Sequence, residues 1–165
     1  MLATQADSED GPAAILTRLN RAFARRAIES RFATVAYAVV DPDGRLRSSN
    51  AGHNPPLLVA RDGSMRSLER GGPPVGPFES AVFEEEETRL EPGDTLVLFS
   101  DGVTEAMSSE GEFFGDERVI ECLEGTPGRT AEETLQRLLD AVSDFAAGAA
   151  QADDITALVV RYRGP

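Results

Sequence analysis

Apolar positions change their spacing several times along the chain, and each change predicts an element. Ile15, Leu19 and Phe23 recur every fourth residue with Ala22 and Ala27 beside them. This spacing predicts one helix of roughly four turns, opened by Gly11-Pro12 with proline in its first turn. Residues 1–10 are polar and aperiodic, so they read as a frayed lead-in to a domain over residues 11–163. From Phe32 the pattern becomes β-branched and aromatic: Ala33 to Val40 predicts a strand, Asp41-Pro42-Asp43-Gly44 a turn, and Arg45 to Asn50 the second arm of a hairpin. Ala51 to Pro56 interrupts the pattern, Leu57-Leu58-Val59 resumes it, and Arg61-Asp62-Gly63 turns the chain ahead of Ser64 to Leu68.

Glu69 to Pro77 holds Gly71, Gly72 and Gly76 with Pro73, Pro74 and Pro77, which predicts a loop. Ala81 to Arg89, including Glu84 to Glu87, predicts an exposed edge strand kept soluble by repulsion, since alternate side chains on a strand point to opposite faces. Pro92-Gly93-Asp94 then turns into Thr95-Leu96-Val97-Leu98-Phe99, a run apolar enough for a strand buried on both faces. After Asp101 the chain reads as irregular through Ser108-Ser109-Glu110-Gly111, with Phe113 and Phe114 plugging the core from a loop and a short helix from Asp116 to Leu123. Thr130-Ala131-Glu132-Glu133 is a capping box for a helix carrying Leu135, Leu138, Leu139, Val142 and Phe145, which Gly148 ends. Ile155 to Val160 predicts a final buried strand. Together these elements predict an α+β fold.

Composition narrows the function. The chain has 165 residues and a formal net charge of -13, which argues against a nucleic-acid surface because phosphate repels it. Its 16 basic residues are all arginine, and those at Arg18, Arg21, Arg25 and Arg26 read as a solvated helix face in preference to a docking patch. No apolar run approaches the ~18 residues of a membrane span. The first residues lack the basic flank and apolar stretch of a secretion signal, so a cytoplasmic location is the expectation.

Candidate chemistry gathers at two acidic corners. Asp101 follows the apolar strand that ends at Phe99, and Asp153 and Asp154 precede the last one. A carboxylate at the mouth of a buried strand calls for a cation, a metal or backbone donors, and Gly102 would let the backbone approach such a partner closely. In antiparallel neighbours the end of one strand lies beside the start of the next, so both corners can converge on a hard cation such as Mg2+ or Mn2+. Two ordinary turns using aspartate as the turn residue would give the same spacing. His53 is the only histidine and Cys122 the only cysteine, so a structural zinc site is excluded. A hydrolase built on either residue would need activity that persists without metal. Cys122 reads as a buried, inert thiol beside Val119 and Leu123.

Three segments taken together resemble one family: Phe32-Ala33-Thr34 through Asn50-Ala51-Gly52-His53-Asn54-Pro55-Pro56, Gly93-Asp94-Thr95 through Ser100-Asp101-Gly102-Val103-Thr104-Glu105, and Asp153-Asp154-Ile155-Thr156. This is the bacterial stage-II-sporulation-E and stress-response branch of the metal-dependent, PP2C-like protein phosphatases. The resemblance runs from about Pro12 to Arg161 and includes Leu19-Asn20 and Phe114-Gly115. It implies an antiparallel β-sandwich flanked by helices and hydrolysis of phosphoserine or phosphothreonine esters at a two-metal Mn2+ or Mg2+ site. By residue, it implies metal ligation by Asp101 and Asp153, with Gly102 and Asp154 supporting the shell around them. Substrates in that branch are phosphorylated anti-sigma-factor antagonists, which implies a role in sigma-factor regulation and signal transduction. The family's upstream metal-bridging Gly-Asp motif and its Asp-Val-Ser-Gly-His-Gly-like segment have no counterpart here. The expectation is therefore a domain incomplete at its N-terminal side, either truncated or a half that pairs with another chain, as a homodimer or with a missing N-terminal half. The rival expectation is a non-catalytic protein-interaction module.

Overall fold

Two sheets, each with its own apolar cluster, organise the chain in the computed structural model, which describes residues 10–24, 32–149, 151 and 153–165. The fold is α+β. Its residues divide into two compact units, Met1–Pro55 with Leu68–Arg89 and Pro56–Ser67 with Leu90–Pro165.

In the first unit, helix α1 (Pro12–Ala24) lays Ile15, Leu16 and Asn20 inward, with Leu19 and Phe23 partly buried against Leu16, Ala51, Val75 and Phe83. Arg18 is ion-paired with Asp10 and Arg21 is exposed, as expected of a solvated face; Arg25, Arg26 and Ala27 lie outside the described residues. Strands β1 (Val35–Val40) and β2 (Arg45–Ala51) form the expected hairpin, in register from Val35 opposite Ala51 to Val40 opposite Leu46. Two expectations are corrected. The Glu69 to Pro77 segment is not wholly loop: Gly71–Gly72 is strand β5, parallel to Asn50 and Ala51 of β2, and Val75 bridges to Ala33. The edge strand after it is only Glu86–Arg89 (β6), antiparallel to β2. The glutamates before and within it are partnered individually. Glu85 accepts the Ala13 N–H at 3.0 Å at the start of α1, and Glu87 pairs with Arg45 at 2.8 Å.

Asn20, fully buried, ties α1 to the segment after β5. Its Nδ2 donates to the Phe78 carbonyl at 2.9 Å, and its Oδ1 accepts the Gly76 N–H at 2.8 Å. Replacing Asn20 by leucine keeps the branched shape, at a larger volume, and leaves both backbone groups without that partner. Since each unsatisfied buried polar group costs ~1–3 kcal/mol, Asn20→Leu should lower the unfolding free energy by about 3 kcal/mol, read as a shifted urea midpoint at unchanged slope.

The second unit is an antiparallel sheet in the order β4 (Met65–Ser67), β3 (Leu57–Val59), β7 (Thr95–Phe99), β8 (Ala157–Arg161). Val59, Val97 and Phe99 meet Val119, Leu123, Leu138 and Val142 from helices α3 (Gly115–Leu123) and α4 (Ala131–Ala146) in one core. The capping box at the start of α4 is present: the Glu133 N–H donates to Thr130 Oγ1 at 3.1 Å, and the Thr130 N–H donates to the Glu133 carboxylate at 2.7 Å. Hydrogen bonding from the Thr130 main chain and then its hydroxyl holds the Glu133 carboxyl below its ordinary pKa.

The sequence pattern overstates burial in two places here, and it sets the end of one helix a residue late. Phe114 is in the core, edge-on to Phe145 with ring centroids 5.4 Å apart, whereas Phe113 is exposed. β8 is half-buried, with Leu158 at 55% and Val160 at 37% exposure, because only alternate residues face the helices. Helix α4 ends at Ala147, which adopts the left-handed conformation (φ 46°) one residue before Gly148. No helix among the described residues is long and apolar enough to cross a membrane.

Candidate functional site

Strand β7 is held at both ends, and the candidate site lies at its C-terminal one. At its entry, Asp94 is 6% exposed and its carboxylate accepts the Arg61 N–H at 2.9 Å and the Glu91 N–H at 2.8 Å. At its exit, the pairing of Phe99 with Ala157 continues into a knot around Ser100. The Ser100 N–H donates to the Thr156 carbonyl at 2.9 Å. The Ser100 hydroxyl donates to the Asp154 carbonyl at 2.9 Å and accepts the Thr156 N–H at 3.0 Å. One serine therefore staples the two acidic corners together through backbone groups.

Asp101 opens a single-turn helix, α2 (Asp101–Thr104), where an irregular segment is the sequence expectation. Its side chain is exposed, so the desolvation cost expected of a carboxylate at a buried strand's mouth is not incurred. Its Oδ1 accepts the Gly102 N–H at 3.0 Å, and Asp153 Oδ1 likewise accepts the Asp154 N–H at 2.7 Å. Asp153 and Asp154 are both exposed. Asp154 reaches the corner through its main-chain carbonyl. Gly102 is buried for a reason other than the one its motif suggests: what its bare Cα approaches is the backbone of Asp154. A Cβ there would stand 2.9 Å from the Asp154 carbonyl carbon and closer still to its oxygen.

The chemistry of this donor set suits a hard divalent cation. Both side chains are anionic oxygen donors open to water, and among the described residues no cation pairs with either. The number of donors is short of a full site, because no group of three metal-ligating side chains occurs among the described residues. The remaining candidates stand apart in chemistry. His53 is tied into its own loop, with ring Nδ1 3.0 Å from the Asn54 carbonyl and its N–H donating to Asn50 Oδ1 at 2.8 Å. Burial pushes the Cys122 thiol up, which keeps it protonated and unreactive at neutral pH.

Sequence reasoning assigned no role to Ser100, although it sits inside the motif, and no signal announced the cavity beside it. This cavity, of about 250 Å3, is bounded by Gly102, Glu105 and Ala106 on one side, Val142 and Ala146 of α4 on another, and Asp153. Its walls come from three separated stretches of chain.

The family model described as Stage II sporulation protein E matches residues 1–163. "Protein IcfG" of Synechocystis sp. is 36% identical over 134 residues, covering 80% of this chain and 21% of that protein. "Phosphoserine phosphatase RsbU" of Bacillus subtilis is 30% identical over 157 residues, covering 92% of this chain and 45% of that protein. The chain thus spans less than half the length of either relative. Among solved structures, the SiaA-PP2C domain of Pseudomonas aeruginosa superposes with a TM-score of 0.83 at 21% identity, over 96% of this chain and 63% of that one. At that identity the likeness is one of fold.

Proposed function

The chain belongs to the Stage II sporulation protein E family of PP2C-like phosphatases, and from that premise we propose that it carries part of a metal-dependent serine/threonine phosphatase centre. Asp101 and Asp153 are its metal ligands. The observation that carries this reading is the Ser100 staple, which fixes the two corners bearing these carboxylates against each other. Mn2+ or Mg2+, when bound, supplies an activated water and neutralises charge developing on the phosphoryl group.

The chain's own residues do the positioning. Asp101 and Asp153 present unpaired negative charge to solvent, where repulsion between them is relieved by a cation. Gly102 keeps α2 close to Asp154, and Asp154 orients the shell around the ligands, as outer partners of metal sites do. The substrate is a phosphorylated regulatory protein of the anti-sigma-factor antagonist type. A non-catalytic interaction module is the second reading, favoured by the lack of a third metal-ligating side chain among the described residues.

Calorimetric titration with Mn2+ separates the two. The phosphatase reading expects wild-type binding tighter than ~1 mM, about -4 kcal/mol, and at least tenfold weaker binding in both Asp101→Asn and Asp153→Asn. Phosphoserine-peptide hydrolysis that survives both substitutions together with a chelator, or wild-type binding weaker than ~1 mM, defeats it.

A further inference from the structure

We propose that the cavity beside Asp153 receives one arginine side chain of the phosphoprotein substrate, its stem over Ala106, Val142 and Ala146 and its guanidinium at Glu105. The assignment rests on the phosphatase reading for the identity of the partner, and on the cavity for the rest.

Size is the first argument. About 250 Å3 lies below the ~300–1,000 Å3 of pockets that enclose cofactors or small molecules, and so suits a single long side chain. Lining chemistry is the second. The floor is apolar, and among the described residues the charged ones around it are the acids Glu105 and Asp153. An occupant with an apolar stem and a cationic head matches both parts, which is how arginine and lysine lie along apolar surface while keeping their charge in water. Asp153 is committed to the metal in the phosphatase reading, which leaves Glu105 for the cation. Glu105 is exposed, its main-chain N–H donates to the Asp101 carbonyl, and no cation pairs with its carboxylate among the described residues.

Arginine is preferred to lysine because its planar fork meets a carboxylate with two parallel hydrogen bonds. The net charge of -13 adds a long-range bias toward basic partners.

The test measures fluorescence anisotropy of labelled phosphoserine peptides binding to the full chain in Mn2+ at physiological salt. Each peptide carries one arginine, one to four residues from the phosphoserine, and each is compared with its citrulline, lysine and unphosphorylated counterparts. Arginine should bind at least tenfold tighter than citrulline at one spacing, with lysine between them. That ratio should fall to near one in Ala146→Leu, which fills the cavity, and shrink in Glu105→Gln. Ser143→Leu, at an exposed cavity-lining position on the same helix, provides the filled cavity should Ala146→Leu fail to fold. Equal binding of arginine and citrulline at every spacing, or a ratio that survives the filled cavity, overturns the assignment. An arginine preference that ignores phosphate and Mn2+ while vanishing in the filled variants keeps the cavity assignment and removes the phosphatase reading.

Discussion

Gly102→Ala should cost about 3 kcal/mol of stability and weaken Mn2+ binding at least tenfold, although a methyl group is the whole change. The added Cβ would stand 2.9 Å from the Asp154 carbonyl carbon, inside the distance a real side chain tolerates, and main chain cannot rotate aside as a flexible side chain does. Overpacking of a closed site costs ~1–3 kcal/mol, and here the displaced backbone also takes the Ser100 bonds to Asp154 and Thr156 with it. Urea denaturation reads the first loss and Mn2+ titration the second. Gly125→Ala is the control, because its Cβ would meet nothing closer than 3.7 Å and its φ is not positive. It should be neutral, or stabilising by ~0.4–1 kcal/mol through a less flexible unfolded chain. Wild-type stability and affinity in Gly102→Ala would show that the two corners do not depend on that approach.

Gly71→Ala should be more damaging still. Its Cβ would lie 2.5 Å from both the nitrogen and the carbonyl carbon of Asn50, and closer to the Asn50 oxygen. Nothing short of separating β5 from β2 relieves that overlap. Separation breaks the bond from the Asn50 N–H to the Arg70 carbonyl and the one from the Glu84 N–H to the Gly71 carbonyl. The expected loss is about 4 kcal/mol, at the upper end for single substitutions, and a fall in melting temperature on the order of 10 °C. A melting curve within a degree or two of wild type would contradict the pairing of β5 with β2.

These two glycines also mark where the sequence stopped being legible. Features written in local pattern were readable: the hairpin at Asp41 to Gly44, the reciprocal bonds of Thr130 and Glu133, and the apolar stripe of α4. The strand at Gly71–Gly72 carries no side chains, so no periodicity can announce it, and what defines it is the main chain of Asn50 and Ala51, 21 residues earlier. Glu85 looked like one member of a repelling cluster because its partner, the Ala13 N–H, is 72 residues away. Ile155 to Val160 looked fully buried because Leu158 and Val160 are apolar on the face turned from the helices, and composition alone cannot separate two faces.

At the site, the asymmetry between a strand that ends in aspartate and one that begins after aspartate was enough to bring Asp101 and Asp153 to adjoining corners. What Gly102 and Ser100 do there depends on the backbone of residues 154 to 156 and was invisible. The cavity is a further step removed, since three stretches must come together before it exists.

Strand β7 also works as a measured spacer. Asp94 anchors one end through the Arg61 and Glu91 amides, and Ser100 anchors the other through Asp154 and Thr156. Five extended residues between them fix a length of about 17 Å. The position of Asp101 is therefore counted off in pleats from Asp94, independent of the loops around it. One residue inserted into β7 would leave both anchors intact in composition yet present every side chain beyond it to the opposite face.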